Sequence, residues 1–161
     1  QKAGIALPSM EFAGRDSDLI DLASFTGPID ESLIWQAIEN SGIPYKEWTI
    51  RKEVMEKHAG LHLYIELEAA LSPQEVATRV HQEIKALNPF YADMESILEV
   101  EPLRATPLSP DSFRNYMHEQ RAAGADLSHI KPSHMNAPEE VITRLLRLSR
   151  ALSSRRKAVK R

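Results

Sequence analysis

Hydrophobic residues recur along this chain with two periods. Leu33, Ile34, Ala37 and Ile38 are spaced for a helix. Asp30 precedes them as an N-cap, its carboxylate able to accept a bond from a free amide of the first turn. Ser41-Gly42 closes that helix. Residues 45–54 read as a strand with Trp48 and Ile50 on one face, and Leu61, Leu63, Ile65 and Leu67 alternate with His62, Tyr64 and Glu66. Gly60 lies between these runs and suits an antiparallel hairpin. Ser72, Pro73 and Glu75 carry the start signature of a second helix, with Val76, Val80, Ile84 and Leu87 inward and Asn88-Pro89 as its stop. A short helix is expected over 92–97. A strand is expected over 100–108, where Pro102 and Pro107 favour a sheet edge or short pieces.

Ser109-Pro110-Asp111 opens a helix carrying Phe113, Tyr116 and Met117, closed by Gly124. A loop spans 125–137, and Pro138 begins a last helix with Val141, Leu145, Leu148 and Leu152 inward. Ahead of all this, 10–13 and 19–23 read as extended, and Thr26-Gly27-Pro28 as a loop. The expected class is α+β: a small mixed or antiparallel sheet packed with several helices. Residues 1–8 read as a linker, 9–152 as a single domain and 153–161 as a basic tail. Gln1 in place of Met means a processed start or a piece of a longer chain.

Composition changes this picture little. The chain has 161 residues, 42% hydrophobic and 27% charged, as in ordinary globular domains. It has no cysteine, which removes disulfides, thiolate metal sites and thiol nucleophiles. No run approaches the ~18 apolar residues of a membrane span, and no signal peptide is visible, so a cytoplasmic location is expected. Charge is uneven. Residues 144–161 hold eight Lys or Arg and no acid, so a net charge of −3 leaves −11 on residues 1–143. An acidic body repels nucleic acid and anionic membranes, and few aromatics accompany the basic end, so neither partner is expected.

The candidate chemistry is sparse. His58 and His62 are four apart, but Gly60 between them breaks the helical spacing that would pair them on a metal, so they read as exposed strand histidines. His118, His129 and His134 lie close in sequence without carboxylates to complete a ligand set, and no metal site is expected. No glycine-rich phosphate loop or nucleophile elbow is present. What remains is Gly14-Arg15 and the segment from Ser112 to Asn136, with Lys131 in its loop.

Those residues carry a resemblance. Pro8-Ser9-Met10-Glu11-Phe12-Ala13-Gly14-Arg15 resembles the junction that opens the small C-terminal domain of adenylate-forming enzymes. PLSPDSFRNYMHEQRAAGADLSHIK, residues 107–131, is similar to the acyl acid amido synthetases of the auxin-responsive promoter family. Arg121-Ala122-Ala123-Gly124-Ala125 and Lys131-Pro132 are its best matches. Two places depart from the family pattern: Ser24-Phe25-Thr26-Gly27 supplies no lysine, and Lys131-Pro132-Ser133-His134 replaces the usual ending.

The resemblance implies a job. A carboxylic acid is activated with ATP and Mg to an acyl-adenylate, then passed to an amine, commonly that of an amino acid. An N-terminal adenylation domain in the same chain would bind ATP, Mg and the acid. The small domain would swing between two orientations, because one site must serve two transition states. By the same resemblance Lys131 is the catalytic residue, Arg15 binds nucleotide, and Asp16, Ser17 and Asp18 form the hinge. The isolated chain is then expected to be inactive. The alternative is a free-standing α+β module that binds a ligand or protein without catalysis.

Overall fold

The computed structural model describes residues 19–22, 27–55, 58–98, 102–126 and 130–159. Strands β1 (Leu19–Ile20) and β2 (Ile29–Asp30) form a short antiparallel pair. Helix α1 (Glu31–Asn40) follows at once, and Asp30 caps it by accepting from the Leu33 amide at 2.8 Å. Strands β3 (Tyr45–Met55) and β4 (His58–Leu67) make the expected antiparallel hairpin. Helix α2 (Pro73–Leu87) is capped by Ser72, which accepts from the Glu75 amide at 3.1 Å.

Helix α3 (Pro89–Leu98) starts three residues earlier than the expected 92–97. The reason is Asn88. Its side chain accepts from the Tyr91 amide at 3.2 Å, so the residue that ends α2 also caps α3, and Pro89 fits the first turn because it needs no donor there. Strand β5 (Leu103–Leu108) lies parallel to β4 on the side away from β3. Among the described residues it is an edge strand, as Pro107 requires. Helices α4 (Ser112–Ala122) and α5 (Glu139–Val159) complete the chain.

The sheet order β3-β4-β5 puts β4 in the centre, and helices cover both of its faces. The larger core joins Trp48, Ile50, Leu61, Leu63 and Ile65 to α1, α2 and α3. The smaller core joins Tyr64 and Leu108 to Phe113 and Tyr116 of α4 and to Ile142 and Leu145 of α5. Each fully buried Ile or Leu contributes on the order of 1.5–3 kcal/mol. This doubly covered sheet explains why His62, Tyr64 and Glu66, the polar members of the β4 alternation, are not a solvent face. Glu66 is 3% exposed and accepts from the amides of Asp111 at 2.6 Å and Phe113 at 3.2 Å. It thereby caps α4 from across the sheet, since Asp111 itself makes no side-chain cap bond.

Gly60 is required by packing. A Cβ there would lie 2.6 Å from Met55 Sδ and 2.9 Å from the Pro102 carbonyl oxygen.

Candidate functional site

The lysine loop is held against the free edge of β3. The Ile50 amide donates to the His134 carbonyl at 2.7 Å, and the Asn136 amide donates to the Ile50 carbonyl at 2.8 Å. Ile50 and Met135 form a parallel bridge, so the loop behaves as a very short fourth strand. The Thr49 hydroxyl adds a bond to the Ser133 carbonyl at 2.8 Å. Met135 is buried in the larger core. Asn136 adopts φ 50°, a left-handed conformation that asparagine tolerates, and its side-chain amide donates to the Leu19 carbonyl at 3.0 Å.

Five side chains converge above that anchor. The His134 ring stacks on Trp48, with centroids 4.4 Å apart and planes 12° from parallel. Its Nε2 lies 2.7 Å from Glu47 Oε1 and its Nδ1 2.5 Å from Glu31 Oε1. Lys131 Nζ lies 3.0 Å from the other Glu47 oxygen, Oε2. Burial pushes the Glu47 carboxyl up. Hydrogen bonds from His134 and Lys131, the Lys131 charge and the Trp48 amide outweigh that and bring it down to about 2. The Glu47 hydrogen bond raises the pKa of His134 against the opposing effect of burial, and Glu31 adds to the rise. A protonated His134 donates from both ring nitrogens, so it bridges α1 to β3. Lys131 is 53% exposed at its side chain, so its ammonium faces water on one side and Glu47 on the other.

A second polar cluster spans β3, β4 and β5. The residues expected to be exposed strand histidines are not exposed. His62 is half-buried among Glu53, Tyr64 and Thr106. His62 Nδ1 lies 2.7 Å from Glu53 Oε2, and Nε2 lies 2.8 Å from Thr106 Oγ1. The Tyr64 hydroxyl donates to Glu53 Oε1 at 2.8 Å, and its ring stacks on His62 at 4.2 Å. Burial pushes the Glu53 carboxyl up, but His62 and Tyr64 hold it below its ordinary value. Burial and the Glu53 hydrogen bond raise the Tyr64 phenol well above its own.

Of the residues singled out in the sequence, Lys131 is brought to the β3 edge, beside Glu47. Arg15, Asp16, Ser17 and Asp18 lie outside the described residues, as does His129. His118 is exposed on α4, apart from His134. Among the described residues no group of three or more His, Asp or Glu is arranged to hold a metal. His134 has a carboxylate at each nitrogen, so it bridges acids and leaves no lone pair free for an ion. These residues therefore do not fit a magnesium site, and no step here runs through one. Among the described residues no helix is long and apolar enough to cross a membrane. Sequence reasoning missed Glu31, Glu47 and Trp48 as partners of the loop. The only signal was His134 itself, three residues after Lys131.

The three-stranded mixed sheet is thus covered on both faces, with the lysine loop against one edge. A sequence model of the GH3 family C-terminal domain matches residues 29–140, and the chain belongs to that family. This agrees with the resemblance carried by residues 107–131; residues 8–15 lie outside the match and outside the described residues. A solved GH3.15 acyl acid amido synthetase superposes with a TM-score of 0.61 at 17% identity, covering 82% of this chain and 25% of that one. A second, AtGH3.15 acyl acid amido synthetase in complex with 2,4-DB, gives 0.57 at 18% identity, covering 77% and 24%. The chain thus spans about a quarter of the length of these structures. No curated protein matches it.

Proposed function

We propose that this chain is the mobile C-terminal domain of an ATP-dependent acyl acid amido synthetase. The whole enzyme would activate a carboxylic acid as an acyl-adenylate and transfer the acyl group to an amine, commonly that of an amino acid. Its N-terminal domain would bind ATP, Mg and the acid, and the reaction would take place in the cytoplasm. The observation that carries the reading is the family match over 29–140, which includes the lysine loop.

The geometry of Lys131 supports a role for it. Its loop backbone is fixed by Ile50 and Thr49, so the ammonium is positioned without being buried. Its partner bond is a half-exposed ion pair, a class worth about 0–1 kcal/mol. Exchanging Glu47 for a phosphate or carboxylate oxygen of a bound reactant is therefore cheap. There the ammonium would stabilise charge that develops as pyrophosphate departs. Arg15 would contact the nucleotide, and Asp16, Ser17 and Asp18 would absorb the torsion changes of the swing.

The test is ATP–pyrophosphate exchange by the full-length product across a panel of carboxylic acids. Acid-dependent exchange is expected, with Lys131→Ala lowering it about 100-fold or more at unchanged melting temperature. The 161-residue chain alone should show no exchange. Absence of exchange with every acid by the full-length product would refute the reading. Undiminished exchange in Lys131→Ala would remove Lys131 from the chemistry.

A further inference from the structure

The Glu53–His62–Thr106 cluster has the connectivity of a hydroxyl activated by an imidazole that a carboxylate orients. Glu53 accepts from Tyr64 at one oxygen and faces His62 Nδ1 with the other. This arrangement places the imidazole proton on Nδ1. Nε2 is then an acceptor, aimed at the Thr106 hydroxyl 2.8 Å away. The order carboxylate, Nδ1, Nε2, hydroxyl is that of acyl-transfer triads, which are recognised by geometry and not by sequence order.

The cluster opens to space. His62 and Thr106 line a cavity of about 460 Å³ at the free edge of β5, together with Arg104, Leu103, Ala77 and Pro73. That volume falls in the range of small-molecule sites, roughly 300–1,000 Å³. On the α2 side Pro73 and Ala77, beside the polar Gln74, offer a surface on which a short acyl chain would lie. Arg104 points to the same face of β5 as Thr106, where it could hold an anionic leaving group.

The geometry points to Thr106 as a nucleophile toward small activated carboxylic esters and mixed anhydrides. Thr106 Oγ would attack the carbonyl carbon while its proton passes to His62 Nε2. The bond to the leaving oxygen would break, and His62 would return the proton to that oxygen, or release it to water where the leaving group departs as a stable anion, so that Nε2 is free again. The product is an acyl ester on Thr106. Water would then attack that ester, giving its proton to His62 and releasing the carboxylic acid, and Thr106 would recover its hydroxyl proton. The net reaction is hydrolysis, with no oxidant or further reactant. It does not depend on the amide-forming reading.

The test treats the full-length protein with a fluorophosphonate, which phosphonylates activated hydroxyls, and maps the adduct by peptide mass spectrometry. An adduct on Thr106 is expected. Labelling should be at least tenfold slower in His62→Gln and in Glu53→Gln. It should be faster in Thr106→Ser, whose primary hydroxyl is less hindered. If the two slower variants fail to fold, wild type against Thr106→Ser decides. No adduct on Thr106 in the wild type overturns the proposal, as does equal labelling in folded His62→Gln.

Discussion

Replacing Glu47 by Gln tests the clasp that holds the lysine loop. Glu47 receives His134 at 2.7 Å, with both side chains 21% exposed and so weakly screened, and Lys131 at 3.0 Å, whose half-exposed ammonium adds the smaller share. A carboxyl held at about 2 against an ordinary 4.5 corresponds to about 3 kcal/mol of folding stability, at ~1.36 kcal/mol per pKa unit. Because this pKa is depressed, the contribution is full above pH 4.5 and is lost as pH falls toward 2. His134 is displaced the other way. Its contribution is full below its ordinary 6.5 and is lost as pH rises through its raised folded value. The clasp is therefore strongest at about pH 5–6.5, where both conditions hold.

Gln keeps the shape but loses the charge. In urea unfolding of the 161-residue chain, Glu47→Gln should cost ~2–3 kcal/mol at pH 6, the gap closing as pH approaches 2. Hydrogen exchange at the Ile50 and Asn136 amides, which bond across the loop, should accelerate in the variant. A gap that stays constant from pH 6 to 2, or one below about 0.5 kcal/mol at pH 6, would refute the reasoning.

Other changes test the frame around the site. Glu66→Ala leaves the Asp111 and Phe113 amides without their acceptor in a buried place, and should cost ~2–4 kcal/mol by chemical denaturation. Gly60→Ala forces a Cβ against Met55 and the Pro102 carbonyl, and should cost ~1–3 kcal/mol. Adding Met55→Ala should recover only part of that loss, because the backbone oxygen cannot move aside as a side chain can; full recovery would contradict the account. Trp48→Ala removes a 2%-exposed ring and the surface on which His134 stacks, with an expected loss of ~3–5 kcal/mol in the same assay.

The elements were legible wherever local chemistry decides them. Asp30 and Ser72 announce helix starts because an N-cap acts within one turn. Alternation from Leu61 to Leu67 announces a strand because side chains of a strand alternate between faces. Pro107 placed β5 at an edge because it cannot donate to a ladder. The early start of α3 was missed because Asn88 serves two helices, and a stop signal masked a start signal. His62 was misjudged because its partners come from β3 and from β5, the latter distant in sequence, and the β4 pattern is that of a one-faced strand.

The sequence by itself determined the class, the starts of the helices capped by Asp30 and Ser72, the hairpin and the position of Lys131 in a loop, because each rests on residues within a few positions of one another. Only the tertiary structure decided where that loop goes. Its partners, Glu31, Glu47 and Ile50, lie more than 80 residues away and come into reach only because β3 leaves an edge open beside α1. The same holds for Glu53, His62 and Thr106. Each is an ordinary polar residue of a strand until hairpin register and a parallel crossover bring the three within hydrogen-bond distance. Burial, charge pairing and accessible space are properties of that assembly, and no local pattern encodes them.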